Sequence, residues 1–401
     1  MGLIVQKFGG SSVANTERLM NVADIVTKTY AEGNDVVVVV SAQGDTTDDL
    51  IEKAAGITSR PSKREMDVLL STGEQISIAL LAMAIGKLGF PVVSLTGWQI
   101  GMDTDSSYSA ARIKSISGER IRTELDKGKI VIVAGFQGIN KSGDITTLGR
   151  GGSDTTAVAI AAAMKAQLCQ IYTDVDGVYT ADPRVVKTAK KLADIAFDEM
   201  LELASLGAQV LHNRAVEMAK RYNVNLEVLS SLTRNSGTIV REVSKVEKTK
   251  VSGVAKDLNV ARIALVGLPD TPGIAYKIFS LVAQKGINVD IIIQSIGRAA
   301  EKDISFTIDL DNLDAAVEIL EANKDALKFK DLSTSTDIAK VSIVGAGMVT
   351  DAGVASDMFE ALYEQNINIQ MISTSEIKVS VLVAKEDADR AMVAVHDKFY
   401  V

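Results

Sequence analysis

The sequence predicts an α/β fold, a mostly parallel sheet sandwiched by helices, followed by two small α+β units. Three observations carry this. Short β-branched runs alternate with amphipathic helical stretches through the first half. A polar break then falls at Ser230–Lys250. The remainder repeats a β-α-β-β pattern with a closing helix, offset by about 80 residues.

In chain order, Leu3–Lys7 reads as a strand, Val13–Tyr30 as a helix and Val36–Val40 as a strand buried on both faces. Arg64–Leu88 reads as a long helix, with strands at Val92–Leu95 and Ile130–Ala134. Helix Thr155–Lys165 and strand Leu168–Thr173 follow, then helices Asp198–Leu206 and His212–Tyr222 and strand Asn225–Leu229. In the repeat, Ile263–Gly267 matches Val341–Gly345, and Ile304–Ile308 matches Lys378–Val383. Between them, Ala275, Ile278, Phe279 and Val282 share one helix face, as do Ala355, Met358, Phe359 and Leu362. The expected domains are 1–245, with a linker at about 230–250, then 251–330 and 331–401.

Composition narrows the function classes. The chain has 401 residues, 47% of them apolar, which excludes a disordered chain. Its net charge is −8 with dispersed basic residues, against nucleic acid as the main partner. A single cysteine, Cys169, precludes an internal disulfide, and two histidines, His212 and His396, exclude a histidine-rich zinc site. No apolar stretch is expected to reach membrane-spanning length and no signal-peptide pattern opens the chain, so a cytoplasmic location is expected.

The most informative run is Gly149–Asp154, whose glycines let the backbone turn and bring N–H groups close to a ligand. Ser153 and Asp154 are expected to cap the following alanine-rich helix, whose N-terminus suits an anion. Arg150 adds a planar fork for carboxylate or phosphate. Lys7-Phe8-Gly9-Gly10 forms a strand end and glycine turn, able to neutralise charge on a moving phosphoryl group. Neither glycine run has the Walker A or G-x-G-x-x-G spacing. Taken alone, Lys7 reads as a solvated strand end, Ser41–Thr47 as a turn and Glu74 as an exposed helix carboxylate. Thr173–Arg184 holds more carboxylates than a turn needs, yet lacks the calcium-loop spacing.

Together these runs resemble the aspartate kinase family: Lys7–Val13, Ser41–Asp48, Thr72–Glu74, Gly135–Gly138, Thr146–Ala157 and Thr173–Arg184, in that family's order. The C-terminal repeat resembles its paired ACT regulatory units, and the likeness spans essentially the whole chain. It implies an amino-acid kinase fold followed by two ACT-like units of ferredoxin type. It also implies phosphorylation of the L-aspartate side-chain carboxylate by ATP with Mg2+, the first step of the lysine, threonine and methionine branch.

By that resemblance Lys7 stabilises the γ-phosphoryl group and Asp154 holds Lys7 in place. Arg150 clamps a substrate carboxylate and Glu74 meets the ammonium, with Ser41, Ala42, Thr47, Phe136 and Ser153 completing the pocket. Lys7, Phe8, Gly9 and Gly10 with Thr173, Asp174, Tyr179, Asp182 and Arg184 would bind nucleotide. Asp270, Gly273, Ile274, Gln294, Asn368 and Ile369 match effector positions, implying feedback by lysine, threonine or both. The pattern departs at Gln209, where many members carry a lysine that reaches the nucleotide. A homo-oligomer formed through the ACT units is implied, and some relatives also make a separate regulatory subunit. The alternatives are a non-catalytic amino-acid sensor, or a kinase of this fold acting on glutamate or UMP.

Overall fold

The computed structural model describes residues 2–207, 210–233, 235–242, 250–295, 301–349 and 351–401. They form two compact units: Met1–Tyr179, Lys191–Ser205 and Gln209–Val246, and Thr180–Lys190, Leu206–Ala208 and Glu247–Val401.

The first unit is built on an eight-stranded sheet. Its order is Asp194–Ala196, Thr238–Arg241, Leu226–Ser230, Leu168–Thr173, Leu3–Phe8, Asp35–Val40, Ile130–Ala134, Val92–Leu95. Every pairing is parallel except that of Leu226–Ser230 with Thr238–Arg241. Val36 to Val40 are all fully buried, as a strand covered on both faces must be. Helix Thr16–Ala31 starts where the Asn15 side chain accepts the Arg18 N–H, and it buries Leu19, Val22, Ala23 and Val26. Helix Gly152–Met164 is buried from Gly152 to Ala161, its small side chains letting it lie close against Leu3–Phe8.

Three expectations change here. The break expected at Ser230–Lys250 contains strand Thr238–Arg241, so the main sheet continues into the predicted linker. Four strands of three or four residues (Ile113–Ile116, Met102–Thr104, Gln137–Ile139, Ile145–Thr147) form a second sheet, too short to show an alternation in sequence. Helix Lys63–Lys87 is, among the described residues, the one long and apolar enough to cross a membrane. One face of it packs into the fold, while Ile76, Leu80 and Met83 on the other are exposed. Asp67, Ser71, Glu74 and Ser77 lie buried along it, packed against protein.

In the second unit, sheet Ile292–Gln294, Glu301–Asp309, Val260–Pro269, Asp331–Ser335 packs on helices Ile274–Gln284 and Leu313–Glu321. The other sheet is Gly253–Asp257, Ile338–Val344, Lys378–Ala384, Met371–Thr374, covered by helices Val354–Glu364 and Ala388–Tyr400. The predicted helix faces point inward: Ile278, Val282, Met358 and Leu362 are buried, with Ala275, Phe279, Ala355 and Phe359 against them. The predicted boundary at 330/331 fails, because Asp331–Ser335 closes the first sheet and Gly253–Asp257 completes the second. A small apolar cluster of Val260, Ile291, Ile338, Met371 and Leu382 joins the sheets. Beside it the buried Lys340 ammonium reaches Asp290 at 2.5 Å and Asp257 at 3.4 Å.

Thr180–Lys190 belongs to this second unit. The Thr180 carbonyl accepts the Val254 N–H at 2.8 Å, and Ala181 and Val186 are buried in the core around Val341 and Val395. Thr180 Oγ1 lies 2.9 Å from Nε2 of the fully buried His396. The run expected to bind nucleotide as one piece is therefore divided after Tyr179.

Candidate active site

In a parallel sheet, ligands bind beyond the carboxyl ends of the strands where the strand order reverses. Leu3–Phe8 is such a point. The chain goes from it to Asp35–Val40 on one side and later returns to Leu168–Thr173 on the other. In register, Phe8 lies beside Val40 and Tyr172, and Val40 beside Ala134. The loops opening with Gly9, Ser41, Gly135 and Asp174 thus share one edge.

Lys7 Nζ lies 2.7 Å from Asp154 Oδ1, each side chain 12% exposed. Gly9 lies beside that ammonium, where a Cβ would stand 3.4 Å from Nζ, an ordinary contact. Gly10 is pressed against the next loop: its carbonyl accepts the Gly44 N–H, and a Cβ would lie 2.8 Å from the Ala42 carbonyl oxygen. The Phe8 side chain is buried and stacked on Tyr172 at 4.5 Å, so Phe8 can serve a ligand through its backbone alone.

The helix after the glycine run begins earlier than the sequence predicts. Gly151, at φ 66°, holds the cap position, so Ser153 and Asp154 occupy the first turn and do not cap it. The left-handed turn at Gly151 is why. Gly152 has Phe136 and Leu148 so near that a Cβ would lie 2.8 and 3.0 Å from them. Phe136, at φ 70°, gives its N–H to Thr156 Oγ1 at 3.1 Å, and Gly135 backs onto the Ser153 hydroxyl.

Glu74 lies 3% exposed on the long helix. Its Oε1 accepts the Ala42 N–H at 3.1 Å, and Oε2 is buried without a partner among the described residues. Burial pushes this carboxyl up to about 7, only partly opposed by backbone hydrogen bonds. Gly73 permits the approach, because a Cβ there would come within 2.8 Å of the Ala42 Cβ. Ser41 and Thr47 are half-buried on the adjoining loop and helix start. The exposed-carboxylate reading of Glu74 does not hold.

Arg150 is exposed and makes no ion pair with a described residue. Its loop is braced by residues the sequence did not mark. Arg214 donates to the Leu148 carbonyl at 2.9 Å and the Ala111 carbonyl at 2.7 Å. The His212 ring sits against Gly151, and burial lowers its pKa despite the opposing charge of Asp154. Gly151→Ala would place a Cβ 2.1 Å from His212 Cγ at a left-handed backbone position. It should cost about 2–4 kcal/mol in thermal denaturation, and a second His212→Ala change should restore part of the loss. No recovery in the double variant would exclude this contact as the cause.

Thr173 Oγ1 donates to the exposed Asp174 at 2.9 Å. The Tyr179 hydroxyl donates to Asp176 at 2.7 Å, and Asp176 also takes Lys191 at 3.2 Å. Asp182 and Arg184, in the second unit, form a two-pronged ion pair with each other at 2.8–3.1 Å. Gln209 lies outside the described residues. Among the described residues no cluster of three or more His, Cys, Asp or Glu could hold a metal ion. Cys169 is fully buried with its thiol pKa pushed up, an inert core residue.

Of the effector positions, Asp270 already faces an ammonium, that of Lys302 at 3.0 Å. Gly273, at φ 90°, caps helix Ile274–Gln284, and Ile274 is buried. Gln294 and Asn368 are exposed, and Ile369 is half-buried.

Residues 2–230 match the amino acid kinase family, and residues 263–323 and 341–399 match the ACT domain. An aspartokinase of Bacillus sp. (strain MGA3) is 54% identical over 400 residues, covering 100% of this chain and 97% of the relative. Aspartokinase 2 of Bacillus subtilis (strain 168) is 52% identical over 401 residues, covering 100% and 98%. Among solved structures, E. coli aspartokinase III with aspartate and ADP superposes with a TM-score of 0.85 at 27% identity over the full length of both chains. Its complex with lysine and aspartate gives 0.78, also at 27% identity and full length. The parallel sheet, the glycine-lined edge around Lys7 and the paired C-terminal sheets define a kinase of the amino acid kinase fold with ACT domains. Within that class the chain belongs to the aspartokinase family, enzymes that phosphorylate aspartate.

Proposed function

We propose that the crevice binds L-aspartate between Arg150 and Glu74 and transfers the γ-phosphoryl group of ATP to its side-chain carboxylate. The observation that carries this reading is the unpartnered, buried Glu74 oxygen on the same edge as the Lys7–Asp154 pair. A dicarboxylate with one ammonium needs a cation, N–H donors and a carboxylate, and those three are at hand. Arg150 grips one carboxylate, Glu74 takes the ammonium, and Ser41, Thr47, Ser153 and the backbone near Ala42 and Phe136 line the space between.

The attacking carboxylate is ionised at neutral pH, so no general base is needed. Its oxygen bonds to the γ-phosphorus as the bond to the β,γ-bridging oxygen breaks, and that electron pair leaves on ADP. Lys7 balances charge on the phosphoryl oxygens, Asp154 fixes where Lys7 points, and the glycine turn gives the phosphates N–H groups. Thr173, Asp174 and Tyr179, all in the first unit, would take part in nucleotide binding. Asp174, exposed where strand Leu168–Thr173 ends, would offer a carboxylate to a Mg2+ carried on the nucleotide. When bound, Mg2+ would neutralise β- and γ-phosphate charge.

Regulation belongs to the same reading. Feedback would come from lysine, threonine or both through the ACT units; that E. coli aspartokinase III has been solved with lysine and aspartate in a T-state supports lysine. Asp270, Gly273, Ile274, Gln294, Asn368 and Ile369 would contact the effector. The enzyme would act in the cytoplasm, as a homo-oligomer, at the head of the lysine, threonine and methionine branch. The test is ADP release with aspartate, glutamate and UMP, with lysine and threonine titrated separately and together. Aspartate is expected to be the active substrate, with inhibition at millimolar effector. Background rates with aspartate would reject the substrate; no change in rate or melting temperature with either amino acid would reject the regulation.

A further inference from the structure

Asp67 is fully buried on helix Lys63–Lys87, and every hydrogen bond the structure gives its carboxylate is one it accepts. The Thr147 N–H reaches Oδ2 at 2.9 Å and the Thr147 hydroxyl reaches Oδ1 at 2.8 Å. The Ser109 N–H lies 3.0 Å from both oxygens, and the Ser109 hydroxyl 3.3 Å from Oδ1. Such a group is expensive to bury, and it is satisfied here by Ser109 and the strand-end residue Thr147.

Those two residues stand in the walls of the Arg150 loop. Thr147 ends strand Ile145–Thr147, and Leu148-Gly149-Arg150 follows at once. Ser109 is held at φ 68°, which a residue with a Cβ rarely adopts, and its carbonyl oxygen lies where a Cβ on Gly149 would approach it to 3.1 Å. The Thr147 carbonyl in turn accepts the Ala111 N–H at 2.9 Å, tying the walls together. Glu74 lies two turns further along the same helix, about 10 Å away on the same face.

We propose that Asp67 is a positioning residue for aspartate recognition: through Thr147 and Ser109 it sets the loop presenting Arg150, at a spacing from Glu74 fixed by the helix carrying both carboxylates. One rigid element would then measure the distance between the site's carboxylate and ammonium ends. The inference rests on the reading of Arg150 and Glu74 as those two ends. None of the Asp67 contacts reaches the strand ends at Lys7 or Thr173, so nucleotide binding should not depend on it.

The test is steady-state kinetics of the full-length enzyme with Asp67→Asn, Thr147→Val, Arg150→Ala and the Asp67→Asn/Arg150→Ala double variant. An Asn side chain presents an NH2 where N–H groups already point, so KM for aspartate should rise about 30-fold, with KM for ATP held within about twofold. Thr147→Val, which removes one hydroxyl donor, should raise it about fivefold, and it carries the test alone if Asp67→Asn does not fold. In the Arg150→Ala background Asp67→Asn should add little, because the group it positions is gone. An unchanged KM for aspartate in the folded variants, an equal rise for ATP, or additive effects with Arg150→Ala would overturn the proposal. If Arg150→Ala itself leaves KM for aspartate unchanged, the underlying site reading fails instead.

Discussion

Lys7→Ala is expected to lower kcat by about 10^3-fold while ADP affinity falls by no more than about tenfold. A preorganised cation aimed at developing charge in a water-poor crevice is worth about 3–4 kcal/mol in the transition state. Lys7 has that setting: only 12% exposed and 2.7 Å from Asp154. Ground-state nucleotide binding also draws on backbone N–H groups of the glycine turn, which the substitution leaves in place. Asp154→Asn should cost less, about 10- to 100-fold, because the lysine loses its support and keeps its charge. Single-turnover kinetics with ADP calorimetry separate the two effects. A Lys7→Ala enzyme turning over at the wild-type rate would remove Lys7 from the mechanism.

Glu74→Gln should raise KM for aspartate about 100-fold and abolish its pH dependence between pH 6 and 8. Burial places the wild-type carboxyl at about 7, and a substrate ammonium selects the ionised form. Wild-type KM should therefore rise about tenfold as pH falls from 8 to 6. Stability moves in the opposite sense. The folded-state value lies above the unfolded one, so the folded chain holds the proton more tightly. Stability is then greatest below the unfolded value and declines as pH climbs from about 4.5 to about 7, by about 3 kcal/mol. The glutamine variant escapes that decline and should melt above the wild type at pH 8, with little difference at pH 5. A flat wild-type KM across pH 6–8, or no gain in melting temperature at pH 8, would show that Glu74 is not the buried ammonium partner.

What the sequence made legible was whatever repeats or crowds together locally. Five successive valines ending at Val40 announce a strand with no solvent face, and the paired helix faces of the C-terminal repeat were visible from their period. Arg150 and Asp154 stand in a glycine run that already reads as an anion site, whereas Lys7 gains its role only through the family resemblance. The misses arise where meaning comes from distant partners. Thr238–Arg241 reads as polar linker because its place in the sheet is decided by Leu226–Ser230 and Asp194–Ala196. Arg214 and His212 look like routine helix-start residues until the glycine loop packs onto them. Asp67 left a faint signal, the helical spacing of Asp67, Ser71 and Glu74 along an otherwise apolar helix. Asp182 and Arg184 sit close to Tyr179 in sequence, yet the chain leaves one compact unit between them. Proximity along the chain cannot reveal that.

The strand swap between the two C-terminal sheets has a bearing on synthesis. As the chain leaves the ribosome, the sheet around Val260–Pro269 can close as soon as Asp331–Ser335 appears, since all its strands lie between them. Gly253–Asp257 emerges earlier but must wait, unpaired, until Ile338–Val344 is made. The waiting edge is short, five residues, and carries Lys256 and Asp257, charges of the kind that discourage pairing with a stranger. Thr180 waits longer still for His396, 216 residues further along. The order of assembly is thus written into the fold: the inner sheet comes first, and the outer one, with the strap from residue 180, locks only once helix Ala388–Tyr400 has been made.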